Sequence, residues 1–255
     1  MKIKLFAIVA LAGSSSAWAS ENANLLSVGA GVSSPSVNTS IGENPAGLVN
    51  NEAPKFLVAV QSPSTSFNPM GYGGTFLTGN GRVGAGVGYS NSGAQGSKGG
   101  MNFGLAGEIT SIKTAIGLAG SYGMDAGPNR AGLDLGLMIN SHGPFRVGAV
   151  AYGLTGGVDA YGAGLSYEMN ANAKLVFDAA ADSTFNGTSV KPALGITVQD
   201  FQMAVGYGMD VSNGGASVIA NGASFALGYA VGRTVHFQFY YNQLAQIYAG
   251  LMFRF

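Results

Sequence analysis

The sequence lacks cysteine, and charged residues make up only 9% of its 255 positions. Without thiols, the chain can form neither disulfides nor thiolate metal sites. A soluble domain ordinarily carries ~25% charged residues, so the composition argues against a soluble protein. After the first 19 residues, no apolar run reaches the ~20 residues that a membrane helix needs. Low charge without a helical span is typical of a transmembrane β-barrel, in which apolar residues alternate with small or polar ones.

The first 19 residues predict a secretory signal peptide. Lys2 and Lys4 give it a basic start, residues 5–12 are apolar, and Ala17-Trp18-Ala19 supplies a small-x-small cleavage site. We therefore expect the mature chain to begin at Ser20. Without the two lysines it has 10 basic and 12 acidic residues, a formal charge of −2. This balance predicts no nucleic-acid partner and no polybasic membrane patch.

From residue 55 onward, segments that alternate with a period of two follow one another closely, which is the pattern of β-strands. Most have about the ~9–11 residues that a tilted strand needs to cross a membrane. We predict fourteen strands, at residues 56–62, 71–79, 82–91, 101–110, 112–122, 131–140, 144–153, 158–169, 173–182, 188–198, 201–209, 222–231, 234–242 and 246–255.

The joints between the predicted strands sort by length. Even-numbered joints are tight, as at Gly79–Gly81 and Gln199–Asp200. Most odd-numbered joints are longer, as at residues 91–100 and 210–221, with a short exception near Thr155–Gly157. Outer-membrane barrels have short periplasmic turns and longer outer loops. The expected fold is therefore all-β, an antiparallel up-and-down barrel in the Gram-negative outer membrane, surrounded by lipid and lipopolysaccharide, with both termini in the periplasm.

The chain ends on a strand with one apolar face, and its last residue is a phenylalanine. This ending resembles the terminal strand of Gram-negative outer-membrane proteins, whose final Phe helps to mark them for assembly. The resemblance implies that the barrel-assembly machinery is a partner of this chain. The residues of the implied assembly signal are Tyr248, Leu251, Phe253 and Phe255.

Residues 20–54 show no strand pattern and are small, polar and rich in Gly and Ser. They form either a disordered periplasmic leader or a folded plug, since the interior of a barrel of this strand number is wide enough to hold one. The stretch from Asn38 to Leu48, just ahead of the first strand, resembles the N-terminal hatch of the FadL-type long-chain fatty-acid transporters. That family has fourteen-stranded barrels with an Asn-Pro-Ala motif in a lumenal plug. The implied hatch motif is Asn44, Pro45, Ala46, Gly47 and Leu48.

The resemblance implies three parts and a transport route. Residues 1–19 would be the signal peptide, 20–54 the hatch and 55–255 the barrel. Family members release substrate sideways at a kink in the third strand, where Gly84, Gly86 and Gly88 would permit a bend here. The chain is much shorter than the fatty-acid transporters, and the missing length falls in the outer loops. A substrate-capturing groove built by those loops is therefore doubtful.

If the apolar faces meet lipid, the lumen receives mostly small residues and a few charges. Toward the outer end these are Asp134, Lys191 and Asp210. Near the periplasmic turns we expect Glu108 and Lys113 to face each other across a two-residue turn, which would make them a cross-strand pair. These charges either hold the hatch or pair with one another at a wet rim. The periplasmic set is Arg82, Glu108, Lys113, Arg146, Glu168 and Lys174.

Catalytic chemistry is not expected. The usual bases are represented only by His142 and His236, and neither accompanies a nucleophile motif. No spacing of His and carboxylates predicts a metal site, and no cofactor is expected. The sequence thus favours a channel for a small hydrophobic ligand that passes an N-terminal hatch. A non-specific porin for hydrophilic solutes and a closed barrel that displays its outer loops to a partner remain the alternatives.

Overall fold

The computed structural model describes residues 32–33, 35, 41–63, 70–93, 97–124, 131–170, 172–212, 221–232, 234–242 and 246–255. The predicted signal peptide and most of residues 20–40 lie outside these ranges. Within them, no helix combines the length and the apolar character that a membrane span requires.

Fourteen antiparallel strands form one closed barrel, in which each strand pairs with its chain neighbours and β1 pairs with β14. The predicted fold class is confirmed, and the strand limits differ from the predicted ones by at most two residues. The strands are β1 (Lys55–Pro63), β2 (Gly71–Gly79), β3 (Val83–Asn91), β4 (Gly100–Ile109), β5 (Thr114–Gly123), β6 (Ala131–Ile139), β7 (Phe145–Tyr152), β8 (Ala160–Asn170), β9 (Ala173–Asp182), β10 (Thr188–Val198), β11 (Phe201–Asp210), β12 (Gly222–Val231), β13 (Val235–Asn242) and β14 (Gln246–Arg254).

The period-two alternation of the sequence separates two surfaces. In β4, Phe103 and Leu105 point outward and are 54% and 63% exposed, whereas Asn102 and Ala106 point inward and are buried. The same alternation gives nearly every strand an outward row of large apolar side chains. Such a band suits contact with lipid, because hydrocarbon cannot solvate polar groups.

The two ends of the barrel differ in their connections. At one end, which we call the turn end, short turns follow the even-numbered strands, and both Lys55 and Arg254 lie there as register partners. The opposite, loop end carries most of the longer connections. There, β7 and β8 are joined by the seven residues Gly153–Asp159. The joint near Thr155, which we expected to be a short exception among the odd-numbered joints, is therefore one of the longer ones.

The expected pairing of Glu108 with Lys113 is wrong. The turn between β4 and β5 has four residues, Thr110–Lys113, and includes one turn of 3-10 helix. Lys113 closes the turn in the left-handed conformation, with φ of 50°. Glu108 consequently lies opposite Ala115 in the ladder. The carboxylate of Glu108 instead contacts Nε2 of His142, a residue of the turn between β6 and β7, at 2.7 Å.

The outward band predicts a depth-dependent penalty for charge. Leu118 lies midway along β5, whereas Ile112 lies in the turn that precedes β5, and both side chains are exposed. We expect Leu118→Arg to lower the free energy of unfolding by ~2–4 kcal/mol and Ile112→Arg by ~0–1 kcal/mol. Urea unfolding of the barrel in phospholipid vesicles measures both values. Equal penalties at the two positions would contradict the assignment of this surface to lipid.

Candidate functional site

The N-terminal part of the described chain lies inside the barrel. Residues 32–33 and 41–51, here called the lumenal segment, include a 3-10 helix at Pro45–Asn50. This helix packs against β2–β6 on the inward side. Ala46, Leu48 and Val49 are fully buried. They form one apolar cluster with the inward residues Leu77, Ala106, Ala115, Ala119 and Met138 and with Ile41.

The local sequence explains why a helical turn forms here. Asn44 has an extended backbone, and its Oδ1 accepts a hydrogen bond from the backbone N–H of Ala46 at 3.1 Å. Pro45 follows at the first helical position, where its missing N–H costs nothing. At the other end, the N–H of Asn51 donates to the carbonyl of Leu48 at 3.1 Å. The Asn-Pro pair therefore starts the helix.

The amide of Asn44 also ties the lumenal segment to the wall. Its Nδ2 donates to the carbonyl of Val32 at 2.7 Å and to that of Leu137 in β6 at 3.1 Å. The carbonyl of Ala149 in β7, the register partner of Leu137, lies at 3.4 Å. One fully buried side chain thus joins two parts of the lumenal segment to two neighbouring strands.

Glycines in the inner wall make room for the lumenal segment. A β-carbon on Gly84 would lie 1.9 Å from the carbonyl oxygen of Leu48, and one on Gly117 would lie 2.2 Å from the carbonyl carbon of Pro45. No side chain fits at such distances, so glycine is required by the close approach of two backbones. We call this surface the glycine trough. It consists of Gly84, Gly104, Gly117, Gly136, Gly148 and Gly164, one from each strand from β3 to β8.

Beyond the trough, polar groups on β7–β9 hold the backbone of the lumenal segment. The hydroxyl of Tyr152 donates to the carbonyl of Glu43 at 2.6 Å. The carboxylate of Asp178, buried on β9, accepts hydrogen bonds from the backbone N–H groups of Ser33 and Val32. These contacts continue the line of attachment that begins at Leu48, so the lumenal segment follows the wall from β2 to β9.

The predicted lumen charges do not form one cluster. Arg146 and Glu168 make a salt bridge between β7 and β8, and Lys174 lies close to both and to the carboxylates of Asp178 and Glu43. Through Glu43, Lys174 connects this group of charges electrostatically to the lumenal segment. Glu108 pairs with His142, while Arg82 and Lys113 are exposed at the turn end. A role for these charges in holding a hatch stays a prediction.

The three glycines of β3 lie in a continuous wall. β3 pairs with β2 from Gly84 to Asn91 and with β4 from Val83 to Ser90 without a shift of register. Gly84 faces Leu48, and a β-carbon on Gly86 would meet Ile41 and Leu77 of the buried cluster. These two glycines therefore accommodate the lumenal segment. A kink at Gly84, Gly86 and Gly88 that opens the wall stays a prediction.

The residues of the predicted assembly signal divide between the two surfaces. Tyr248 points into the barrel and is 1% exposed, whereas Leu251 and Phe253 alternate with it on the outward face. Phe255 is exposed, and its N–H donates to the carbonyl of Pro54 at 3.1 Å, beside the start of β1. The last strand closes the barrel; its recognition by assembly machinery stays a prediction.

The sequence matches no protein-family model and no curated protein sequence. Its fold is similar to that of the Acinetobacter baumannii outer membrane protein Omp33, with a TM-score of 0.54 and 11% identity over 81% of this chain and 99% of that one. It is also similar to a deltaS2 mutant of the TodX monoaromatic hydrocarbon channel, with a TM-score of 0.51 and 10% identity over 85% of this chain and 94% of that one. A mutant Rh. blastica porin aligns with a TM-score of 0.47.

The fold is that of an outer-membrane β-barrel. At such identities the likeness extends to the fold alone. Together with the outward apolar band, this fold places the protein in the Gram-negative outer membrane. Within the residues that the structure describes, no group of three His, Cys, Asp or Glu side chains is arranged to hold a metal ion.

The glycine trough and Asp178 could not be identified from the sequence. Glycines occur in almost every strand, and only the register of the strands reveals which glycines are neighbours. Gly117 lies opposite Gly136, and Gly148 lies opposite Gly164. The available signal was weaker: Asp178 is an acidic residue at an inward position of β9, between the apolar inward residues Val176 and Ala180.

Asn44 provides a direct test of the attachment. Asn44→Asp keeps the capping acceptor and the shape but replaces the amide donor by an oxygen that faces carbonyl oxygens. A buried group left unpaired costs ~1–3 kcal/mol, so we expect the amides of Gly47 to Val49 to exchange hydrogen about tenfold faster or more. The control Asn80→Ala removes a cap of the β2–β3 turn, outside the lumen. If only the control accelerates exchange, Asn44 does not hold the segment.

Gly117 tests the trough. We expect Gly117→Ala to displace the lumenal segment, because the added carbon would meet the backbone of Pro45, while the outer wall keeps its ladder. The matched control is Gly107→Ala in β4, where an added β-carbon meets nothing within 4 Å. Hydrogen exchange at Leu48 and Val49 is the measurement, and an effect of the same size in both variants would contradict a specific fit.

Proposed function

We propose that this protein is a passive outer-membrane channel for small hydrophobic compounds, with the lumenal segment acting as its hatch. The observation that carries this proposal is the seating of the lumenal segment in the glycine trough. A disordered leader would not need glycine at the places where its backbone meets the wall, as at Gly84, Gly117 and Gly148. The fit supports a built-in plug that occupies one side of the lumen.

The opposite side of the lumen supports a hydrophobic solute. Inward residues of β9–β14 and β1 form two adjoining apolar clusters that share contact with Tyr240. We call their surface the apolar stripe. It consists of Val176, Ala193, Ala204, Ala226, Tyr240, Tyr248 and Ala59. Five of its seven side chains offer hydrophilic solutes no hydrogen bond, whereas hydrocarbon gains by leaving water.

The mode of attachment is consistent with a movable hatch. Every strand of the barrel pairs along both edges with other strands, so the lumenal segment contributes nothing to the ladders. It is held by side-chain packing and by a small number of hydrogen bonds, chiefly those of Asn44, Tyr152 and Asp178. It can therefore leave the trough without opening the barrel.

The resemblance of the hatch motif to the FadL-type family and the fold shared with the TodX hydrocarbon channel agree with this proposal. In the proposed mechanism, the solute enters at the loop end, passes the apolar stripe and leaves past the displaced hatch or through the wall. No catalytic step and no cofactor is involved. The proposed partners are the hydrophobic solute, the surrounding lipid and lipopolysaccharide, and the assembly machinery.

Single-channel conductance in a planar bilayer tests the hatch. We expect the mature protein to be closed and a variant lacking Ser20–Asn50 to conduct steadily. A second variant, Leu48→Cys with Gly104→Cys, is designed to lock the segment to the wall by a disulfide. In the natural chain, Cδ1 of Leu48 lies 2.8 Å from the position that a β-carbon on Gly104 would take, so a disulfide can replace this contact. Because the natural chain has no cysteine, no other disulfide competes.

We expect oxidation of the double variant to stop uptake of a hydrophobic dye by vesicles that contain the protein, and reduction to restore it. Each single cysteine variant is the control and should not respond to oxidant. Steady conductance of the mature protein equal to that of the deletion variant would instead identify a non-specific porin. Closure of the deletion variant would identify a structural barrel.

A further inference from the structure

One strand of the wall contains a residue that sheets normally exclude. Pro192 lies in the middle of β10, which has β9 on one side and β11 on the other. Proline has no N–H to donate to a ladder, so within sheets it is confined to edges, first residues and bulges. A closed barrel has no edge. The proline therefore interrupts one of its two ladders.

The register shows which ladder is interrupted. Between β10 and β9 the pairing is continuous and includes Pro192 opposite Phe177. Between β10 and β11 it passes from Val190 opposite Met209 directly to Ala193 opposite Gly206. Lys191 and Pro192, and the facing residues 207–208, are not paired. We call this place the β10–β11 seam.

A shallow cavity of about 650 Å³, open on its outer side, lies against the outward face at this seam. Two outward rows of side chains form its walls, one with Tyr167 and Leu175 and the other with Phe177 and Tyr207. The rows are two residues apart along the strands, a spacing of ~7 Å that admits one ring or one alkyl chain. Small inward residues, Ala193 and Gly206 among them, form the floor.

On the lumenal side, the seam carries Lys191, which lies opposite the buried Asp178 in the β9–β10 ladder, and apolar residues adjoin this pair. Val176 and Ala193 belong both to the floor of the cavity and to the apolar stripe. The neighbouring inward surface of β7–β9 is charged at Arg146, Glu168 and Lys174. An interrupted ladder with an apolar outward face thus occurs where the stripe begins.

We propose that this cavity is a membrane-side binding site for a compact apolar molecule with an aromatic ring. The inference rests on the proposed function, since the molecule is the class of solute that the channel carries. The aromatic walls favour a ring over a lipid acyl chain, because aromatic side chains attract another ring by edge and offset contacts beyond simple burial. The site is distinct from β3, whose ladders are continuous on both sides.

Photolabelling locates the site. The probe is 3-trifluoromethyl-3-phenyldiazirine, a small apolar aromatic that partitions into membranes, used on the full mature barrel in phospholipid vesicles with peptide mapping by mass spectrometry. We expect labelling of Phe177 and Tyr207 about tenfold above that of Phe103, the ratio that ~1.4 kcal/mol of binding preference produces. Excess toluene should remove this difference. Uniform labelling of the outward face would overturn the proposal.

Two variants separate the cavity from the general lipid surface. Val205→Trp fills the cavity from the outward face, and Val87→Trp makes the same change on the outward face of β3. We expect the first to abolish the excess labelling of Phe177 and Tyr207 and the second to preserve it. Heat-dependent gel mobility confirms that each variant is folded. Excess labelling that persists in Val205→Trp would overturn the proposal.

Pro192→Val tests the seam without filling the cavity, because it restores an N–H to β10. The new amide at position 192 would donate to a carbonyl of β11, so we expect it to exchange hydrogen about tenfold slower than an unprotected amide or more, as expected for a ladder bond worth ~1.4 kcal/mol. Exchange of this amide at the unprotected rate would overturn the seam as the basis of the site.

The labelling experiment does not depend on transport. Uniform labelling together with normal dye uptake would remove the wall site and leave the channel. Concentrated labelling in a protein that takes up no dye would support the wall site and remove the proposed channel.

Discussion

The close approach of two backbones inside the barrel is the constraint on which the rest of the lumen depends. The carbonyl groups of Leu48, Pro45 and Val32 lie so near the wall that no β-carbon fits between them and Gly84, Gly117 or Gly148. Strands β3, β5 and β7 must therefore give up a side chain where the lumenal segment passes. Glycine weakens strands because it is flexible when unfolded and packs nothing. A barrel that carries this cost in several neighbouring strands is adapted to hold a particular segment.

This constraint divides the lumen into two halves with different chemistry. Strands β3–β8 are lined with glycine and covered by the lumenal segment, and polar anchors at Tyr152 and Asp178 fix its path. Strands β9–β14 and β1 retain larger inward residues and the apolar stripe, centred on Tyr240. Because the lumenal segment needs only one half of the wall, the other half is free to differ. A solute that passes the hatch would meet the stripe first.

Period-two alternation and the parity of the joints were sufficient to predict the strands, because both depend on residues that are close in sequence. The inner surface was harder to predict. Gly117 and Gly136 adjoin across β5 and β6, yet nothing in either strand alone distinguishes them from other glycines. The Glu108–Lys113 pair failed for a local reason: a left-handed Lys113 lengthens the turn and moves the pairing to Ala115. Asn44 was singled out in the sequence as part of a predicted hatch motif, but its partners Leu137 and Ala149 lie about 100 residues away and could not be predicted.

Pro192 shows how a broken local rule can be informative. In an open sheet, an edge strand can turn a proline toward water, but a membrane barrel has neither an edge nor water at its outer face. The interrupted ladder between β10 and β11 must then be tolerated within the wall, at a cost to the stability of the barrel. That the interruption coincides with an apolar cavity outside and with Val176 and Ala193 of the apolar stripe inside argues against chance. A wall that lacks ladder hydrogen bonds and is apolar on its outward face is a place where a hydrophobic molecule can bind from the membrane.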